Sequence, residues 1–405
     1  MGSASHEQTI LALRERGHDV EVLTQVTEPG KPRYSRVEYS GVPVYRVNLA
    51  ARTGRLMRMG RTLAERFLKY QYIPVLVTAL RRHLRTHHYD LIHVEGVYPF
   101  GFVAALAGGH TPYLANVQGA DVIDLPEYDY GYRRFRLPRM AVSFALKRAA
   151  FIRVISPLLA DYLEKEGLAA RGRIAVVLRA IEDSAFPPVN VPLERFRAEG
   201  RKMLADKYGI GSSRPVVMAL SRLHPFKGLE YLVDAIPLVV EGQRKVGAPV
   251  PWFVICGPSR STENFGDYRK FLERRAEAAG VASHILFTGQ VAHPEVRYHL
   301  AGADIFACPT IIEAQNKVIP EAAAVGTPTV ATETTGIVSY LAPHEACISI
   351  PPRSPKAIAD GILRLLNEPD LYLKIQANAL QVASTLRNDS LAPQLEAVWE
   401  QAALG

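Results

Sequence analysis

Short apolar runs alternate along the chain with longer segments whose apolar residues recur at helical spacing. In the first half the runs are 19–24, 91–94, 113–117, 151–155 and 174–178. Between them, residues 63–85, with a break or kink at Pro74, and 158–166 read as helices. A helix over 7–16 precedes the first run and ends at Gly17. The second half repeats the rhythm with runs at 215–220, 252–256, 284–287, 305–308 and 329–331. Strands alternating with helices predict an α/β protein built on parallel, doubly wound sheets, and strands apolar throughout suit sheets covered on both faces.

One such sheet seldom fills 405 residues, so two domains are expected. Pro187, Pro188 and Pro192 close the first unit, and a charged helix over 194–208 leads to the polar turn 209–213. We place the domains at 1–200 and 201–387, with a C-terminal helix, 388–405, packing back on the first domain. Ser354-Pro355 reads as an N-cap with proline in the first turn, followed by an apolar face of Ile358, Ile362, Leu365 and Leu366.

An apolar fraction of 48% excludes a disordered chain or a collagen, and no apolar run reaches the roughly 18 residues needed to cross a bilayer. Three cysteines, Cys256, Cys308 and Cys347, include no Cys-x-x-Cys pair and read as buried free thiols in a reducing compartment. Net charge is +8, all of it in residues 1–200, which hold 28 Lys+Arg against 20 Asp+Glu. A basic half predicts a negatively charged partner.

Two segments carry chemistry. In 219–228, a strand runs into a loop bearing Arg222 and Lys227, and Gly228 precedes the next helix. Two cations at such a turn suit a diphosphate, because arginine forks two oxygens and lysine adds a point charge. In 310–328, Glu313 follows a strand and Glu321 lies on the helix after it. A ligand at the carboxyl end of a strand meets both loop and helix. Carboxylates there can accept hydrogen bonds from sugar hydroxyls, and backbone amides suit a phosphate. Taken singly, each segment also reads as a solvated loop or helix face.

In this order the motifs resemble the retaining, family 4 nucleotide-sugar glycosyltransferases of the GT-B fold, over nearly the whole chain. The matching features are Arg222 with Lys227-Gly228, Phe287-Thr-Gly289, Glu313 with Glu321-Ala322, and Gly326-Thr-Pro328. In the first domain they are His6-Glu-Gln8, residues 16–22, and Gly119-Ala-Asp121-Val122. The resemblance implies two Rossmann-like domains facing a cleft. Arg222 and Lys227 would hold the donor diphosphate and Glu321 the ribose hydroxyls. Glu313 would meet the transferred sugar, with the amides of Gln315, Asn316, Lys317 and Val318 near sugar and phosphate. Phe287 and Gly289 would face the nucleobase. Gln118, Gly119 and Asp121 would lie on the acceptor side. It also implies a same-face, retaining transfer with no cofactor and no metal ligand. The donor would be a UDP- or GDP-sugar rather than an ADP-sugar.

Three features depart from the family pattern. Gln118 stands where the family has histidine, and glutamine cannot take a proton near neutral pH. Arg179-Ala180 replaces an Asn-Gly turn, and Arg179 reads as a surface residue. A doubly wound domain ordinarily begins with a central strand and glycine-rich loop; here the first predicted element is a helix, and roughly 15–25 preceding residues would complete the domain.

The basic residues form two groups. Arg52, Arg55, Arg58, Arg61, Arg66 and Lys69 precede the apolar residues 72–80, and Arg133, Arg134, Arg136, Arg139, Lys147 and Arg148 interleave with Phe135, Leu137, Met140 and Phe144. Both patterns suit an anionic lipid surface as well as a solvated face. No nucleic-acid motif accompanies them. The expectation is a cytoplasmic enzyme, peripheral on the inner face of the cell membrane, acting on a glycan, lipid-linked or small-molecule acceptor. The competing readings are a nucleotide-sugar epimerase and an inactive nucleotide-binding fragment.

Overall fold

A computed structural model describes residues 4–211, 213–259, 261–262 and 264–404. Fifteen strands are assigned among them. In the first half these are β1 (Val22–Val26), β2 (Tyr34–Tyr39), β3 (Val42–Asn48), β4 (Ile92–Glu95), β5 (Tyr113–Val117), β6 (Phe151–Val154) and β7 (Ile174–Val176). In the second they are β8 (Val216–Leu220), β9 (Trp252–Cys256), the two-residue pair β10 (Ser261–Thr262) and β11 (Gly266–Asp267), β12 (Ile285–Gly289), β13 (Ile305–Cys308), β14 (Thr329–Thr332) and β15 (Ile348–Ile350).

The second half is one six-stranded sheet in the order β12-β9-β8-β13-β14-β15, with every pair parallel. Its inner strands are apolar on both faces because helices cover both. One apolar layer includes Val217, Ile255, Ile305 and Ile358, and the other includes Met218, Val254, Phe306 and Ile319. All three cysteines are buried free thiols.

The first half departs from a single doubly wound sheet. β4-β5-β6-β7 form one parallel sheet, while β1, β3 and β2 form another. β2 and β3 are an antiparallel hairpin turning at Ser40-Gly41, both at positive φ. β1 pairs only with β3 and β4 only with β5 among the described residues. Their free edges line one cavity of about 520 Å³, which Val22–Gln25 enter from one side and Ile92–Glu95 from the other.

Helix α1 (Ala4–Glu15) replaces the expected 7–16. The expected helix 63–85 is two helices, α2 (Arg55–Leu68) and α3 (Ile73–Leu84). Pro74 lies in the first turn of α3, where its missing N–H has no helical partner to lose, so it starts a helix instead of kinking one. The C-terminal helix Asn388–Ala403 packs on β5, β6 and α1. Leu395, Val398 and Ala402 there share an apolar cluster with Leu13, Leu114 and Phe151, and Arg16 and His18 both pair with Glu396.

The basic groups are only partly free surface. Arg133 is buried and bonds the Val122 carbonyl and Glu166, Arg134 pairs with Asp129 and Arg139 with Asp124. Arg136, Arg139, Lys147 and Arg148 are nonetheless exposed, beside exposed Leu137, Met140 and Phe144, so this group is part scaffold and part basic surface. On α2, Leu56, Met59, Leu63 and Phe67 are likewise exposed, beside arginines 55, 58 and 66. No helix among the described residues is long and apolar enough to cross a membrane.

Candidate active site

The loops after β8 and β13 build the centre. Lys227 ends a short turn, Pro225–Lys227, just before the helix Leu229–Lys245. It is only 6% exposed, and its Nζ lies 2.6 Å from Glu313 Oε1. Gly228 permits this meeting: its φ is +65°, and a Cβ there would stand 2.1 Å from the Pro309 carbonyl oxygen. Any side chain would push the two loops apart. Arg222, on the same loop, is exposed, and its positive charge reaches Tyr130 of the first domain.

The other carboxylate oxygen of Glu313 accepts from Asn316 Nδ2 at 2.8 Å. Asn316 holds a positive φ of 74°, and its Oδ1 accepts from the amides of Val318 (2.8 Å) and Ile319 (3.0 Å) at the start of the helix Val318–Ala324. The Val318 amide is thus bonded to the Asn316 side chain. Asn316 acts as the cap that aims this turn.

Glu321 lies in the first turn of that helix. Burial, assisted by the nearby charge of Glu182 and opposed by Lys317, raises its pKa to about 7. A cavity of about 150 Å³ is lined by Glu321, Glu182, Ser184, His293 and Arg297. Glu182 is 7% exposed and faces Lys317 at 3.8 Å and His293 at 3.6 Å. Sequence reasoning missed Glu182, because its partners come from loops more than a hundred residues away.

The first domain closes on this centre. Ser156 donates to the Ala314 carbonyl, and the Gln315 side chain bonds the Arg179 backbone amide (3.1 Å) and carbonyl (3.2 Å). Gly336 makes the seam possible, since a Cβ there would lie 1.8 Å from the Ala314 oxygen and 2.4 Å from Ser156 Oγ. Gly119 packs against Ala314 from the other domain.

Arg179 is not a surface residue. Its guanidinium donates to Gln118 Oε1, and Gln118 Nε2 in turn donates to Glu95. Glu95 also accepts from Asn116 at 2.6 Å and faces His93 at 3.4 Å and His6 at 3.5 Å. Burial raises the Glu95 pKa, but His93, His6, Arg153 and Arg179 outweigh it and leave the group below its ordinary value. His93 is pushed down to about 4 by burial, and its Nδ1 accepts from Trp399 Nε1 at 2.8 Å.

Asp121 turns away from the cleft. It is 3% exposed and accepts from the backbone amides of Val97 (2.8 Å), Gly119 (2.8 Å) and Gln118 (3.2 Å). Burial raises its pKa against those amides. It shapes the Gln118–Gly119 loop and presents no oxygen to an acceptor. Phe287 and Gly289 stand on β12, the outer strand of the six-stranded sheet. Arg269 lies over the Phe287 ring at 5.5 Å, and the ladder shifts register between Phe287 and Gly289. The residues of 118–121, 179, 227 and 313–316 thus form one network, with the β12 turn at its margin.

Two domains with parallel sheets, meeting through the loops at the carboxyl ends of their strands, define a GT-B glycosyltransferase. Residues 201–382 match the model for glycosyl transferases group 1, and residues 3–179 match that for a glycosyl transferase 4-like domain; the chain belongs to this family. A Bacillus subtilis protein named for teichuronic acid biosynthesis, the glycosyltransferase TuaC, is 27% identical over 92% of this chain and 89% of its own. A GDP-mannose-dependent α-(1-6)-phosphatidylinositol monomannoside mannosyltransferase of Mycobacterium tuberculosis is 32% identical over 56% of this chain and 58% of its own. Among solved structures, sucrose-phosphate synthase from Thermosynechococcus elongatus superposes with a TM-score of 0.74 at 21% identity, covering 98% of this chain and 92% of that one. Anabaena HepE in complex with UDP and glucose gives 0.71 at 18% identity, covering 98% and 96%.

Proposed function

We propose that the protein transfers a sugar from a UDP- or GDP-sugar to a lipid-linked acceptor of the cell envelope, with retention of anomeric configuration and without a catalytic metal. The observation that carries this reading is the buried Lys227–Glu313 pair, 2.6 Å apart, at the seam between the domains. Lys227 and exposed Arg222 supply positive charge where a diphosphate leaving group gains negative charge, the kind of electrostatic stabilisation that acts most in the transition state. Glu313, held by Lys227 and Asn316, presents a fixed carboxylate to the transferred sugar. Glu321 receives the ribose hydroxyls, with Glu182 across the same small cavity. Arg179 adds a cation from the first domain and orients Gln118 on the acceptor side.

Glu313 is held by Lys227 and Asn316 and not by a base that would activate it, which favours a same-face transfer in which the departing phosphate takes the acceptor proton. In that scheme the acceptor oxygen bonds the anomeric carbon, the bond from that carbon to the diphosphate oxygen breaks, and the proton ends on the released nucleotide. The exposed apolar face of α2 with its arginines supports peripheral contact with anionic lipid at the cytoplasmic face of the membrane. The names of the TuaC and mannosyltransferase relatives favour an envelope polymer or lipid acceptor. The units 1–200 and 201–387 would serve acceptor and donor respectively.

The test is a transfer assay with UDP-glucose, GDP-mannose and ADP-glucose against a phosphatidylinositol mannoside and a polyprenyl-linked disaccharide. Nucleotide release that depends on an acceptor, with a product keeping the donor's anomeric configuration by NMR, is expected. Inversion at that carbon, or an epimerised donor released without transfer, would sink the reading.

A further inference from the structure

His83, in the last turn of α3, and His87, one helical turn further on, face the residue that precedes β1, Glu21. One nitrogen from each histidine and one carboxylate oxygen all lie within 4.8 Å of one another. The two imidazoles stack with centroids 4.2 Å apart and planes 12° apart. Two tyrosine hydroxyls now bridge them to the carboxylate. Tyr89 meets His83 Nε2 at 2.7 Å and donates to Glu21, and Tyr45 meets His87 Nε2 at 3.1 Å and Glu21 at 3.4 Å. The other nitrogen of His87 faces the His83 carbonyl at 3.1 Å and Thr86 Oγ1 at 2.9 Å. A carbonyl oxygen only accepts, so the contact with His83 favours the tautomer with hydrogen on Nδ1, in which Nε2 accepts from the Tyr45 hydroxyl and would offer its lone pair to an ion that displaced it, the backing that metal-bound histidines ordinarily have.

We propose that Glu21, His83 and His87 bind a divalent transition ion of the Zn²⁺ or Co²⁺ class, with a water or the Tyr89 hydroxyl in the fourth position. Two imidazoles and one carboxylate are a donor set suited to such ions and poorly suited to Mg²⁺ or Ca²⁺. The cluster lies at the N-terminal edge of β1, whereas the transfer site is built on loops that follow the C-terminal ends of strands. The ion's role is accordingly structural. It ties α3 to β1 and, through Tyr45, to β3, which matters because the sheet of β1, β3 and β2 has no ladder to β4.

The test is titration of the full chain, stripped with a chelator, by isothermal calorimetry with Zn²⁺ and by visible spectroscopy with Co²⁺. One ion per chain is expected, with a Co²⁺ spectrum typical of four-coordinate nitrogen and oxygen ligation and a rise in melting temperature. Glu21→Gln and His87→Ala should each weaken binding more than about tenfold. Both variants should keep the nucleotide-induced thermal shift of the wild type, which shows that they fold. Two results would overturn the proposal: no saturable binding to the wild type, or equal binding to a folded His83→Ala/His87→Ala variant.

Discussion

The two halves of the molecule solve one architectural problem in different ways. In the second half, six parallel strands form an unbroken ladder, and the positive and negative charges balance. In the first half the ladder is interrupted, an antiparallel hairpin is added, and the whole net charge of +8 is concentrated there. The half that holds Lys227, Glu313 and Glu321 is thus a rigid frame for a ligand of fixed chemistry. The half carrying α2 is cationic, and its described strands fall into two sheets. The contrast teaches that a shared fold can keep its donor chemistry in a continuous core while its other domain departs from the ideal.

The sharpest way to break that comparison is at the rigid centre. Lys227→Ala should lower kcat by about 100- to 1000-fold, the loss expected when one fixed charge on a developing anion is removed. A loss under tenfold in steady-state transfer would take Lys227 out of the reaction. Next comes Glu321, whose pKa of about 7 lies above the ordinary 4.5. A carboxyl raised in the folded state holds its proton more tightly there, so its contribution is complete below about 4.5 and is lost as pH rises through about 7. Against Glu321→Gln, the wild type should therefore lose up to ~3 kcal/mol of relative stability over that window, read by urea melts at several pH values. A flat difference would show that the group is solvated.

A smaller effect is expected at the seam. Gly336→Ala would crowd the Ala314 carbonyl and should cost about 1–3 kcal/mol of stability while raising the donor KM, as the loop bearing Glu313 is displaced. An unchanged KM in a destabilised variant would mean the seam does not transmit to the site. The smallest effect on the fold belongs to the irregular half. Replacing exposed Leu56 and Met59 by serine should change stability by less than about 0.5 kcal/mol yet weaken flotation with anionic vesicles. Equal flotation with anionic and neutral vesicles would separate α2 from lipid.

Much of the frame was readable from pattern alone. β5 is Tyr113–Val117 as the apolar run indicates, and the break near Pro74 is real, although the proline opens α3 instead of bending one long helix. The β2–β3 hairpin is signalled only weakly, by Ser40-Gly41 followed by alternation at Val42 and Val44. At the site, Arg222, Lys227, Glu313 and Glu321 stand out because each sits where a strand hands over to a helix. Arg179, Glu95 and Glu182 do not. Their roles depend on partners such as Gln315 and Gln118, brought in from distant loops, and a buried charge looks like a solvated one until its partner is in place.

The facing edges of β1 and β4 also have a mechanical meaning. A ladder resists sliding because many hydrogen bonds must fail together, whereas a boundary made of side chains around a cavity yields piece by piece. Among the described residues the β1 and β4 edges share no ladder, and their amides should exchange with deuterium sooner than those of β8 or β13.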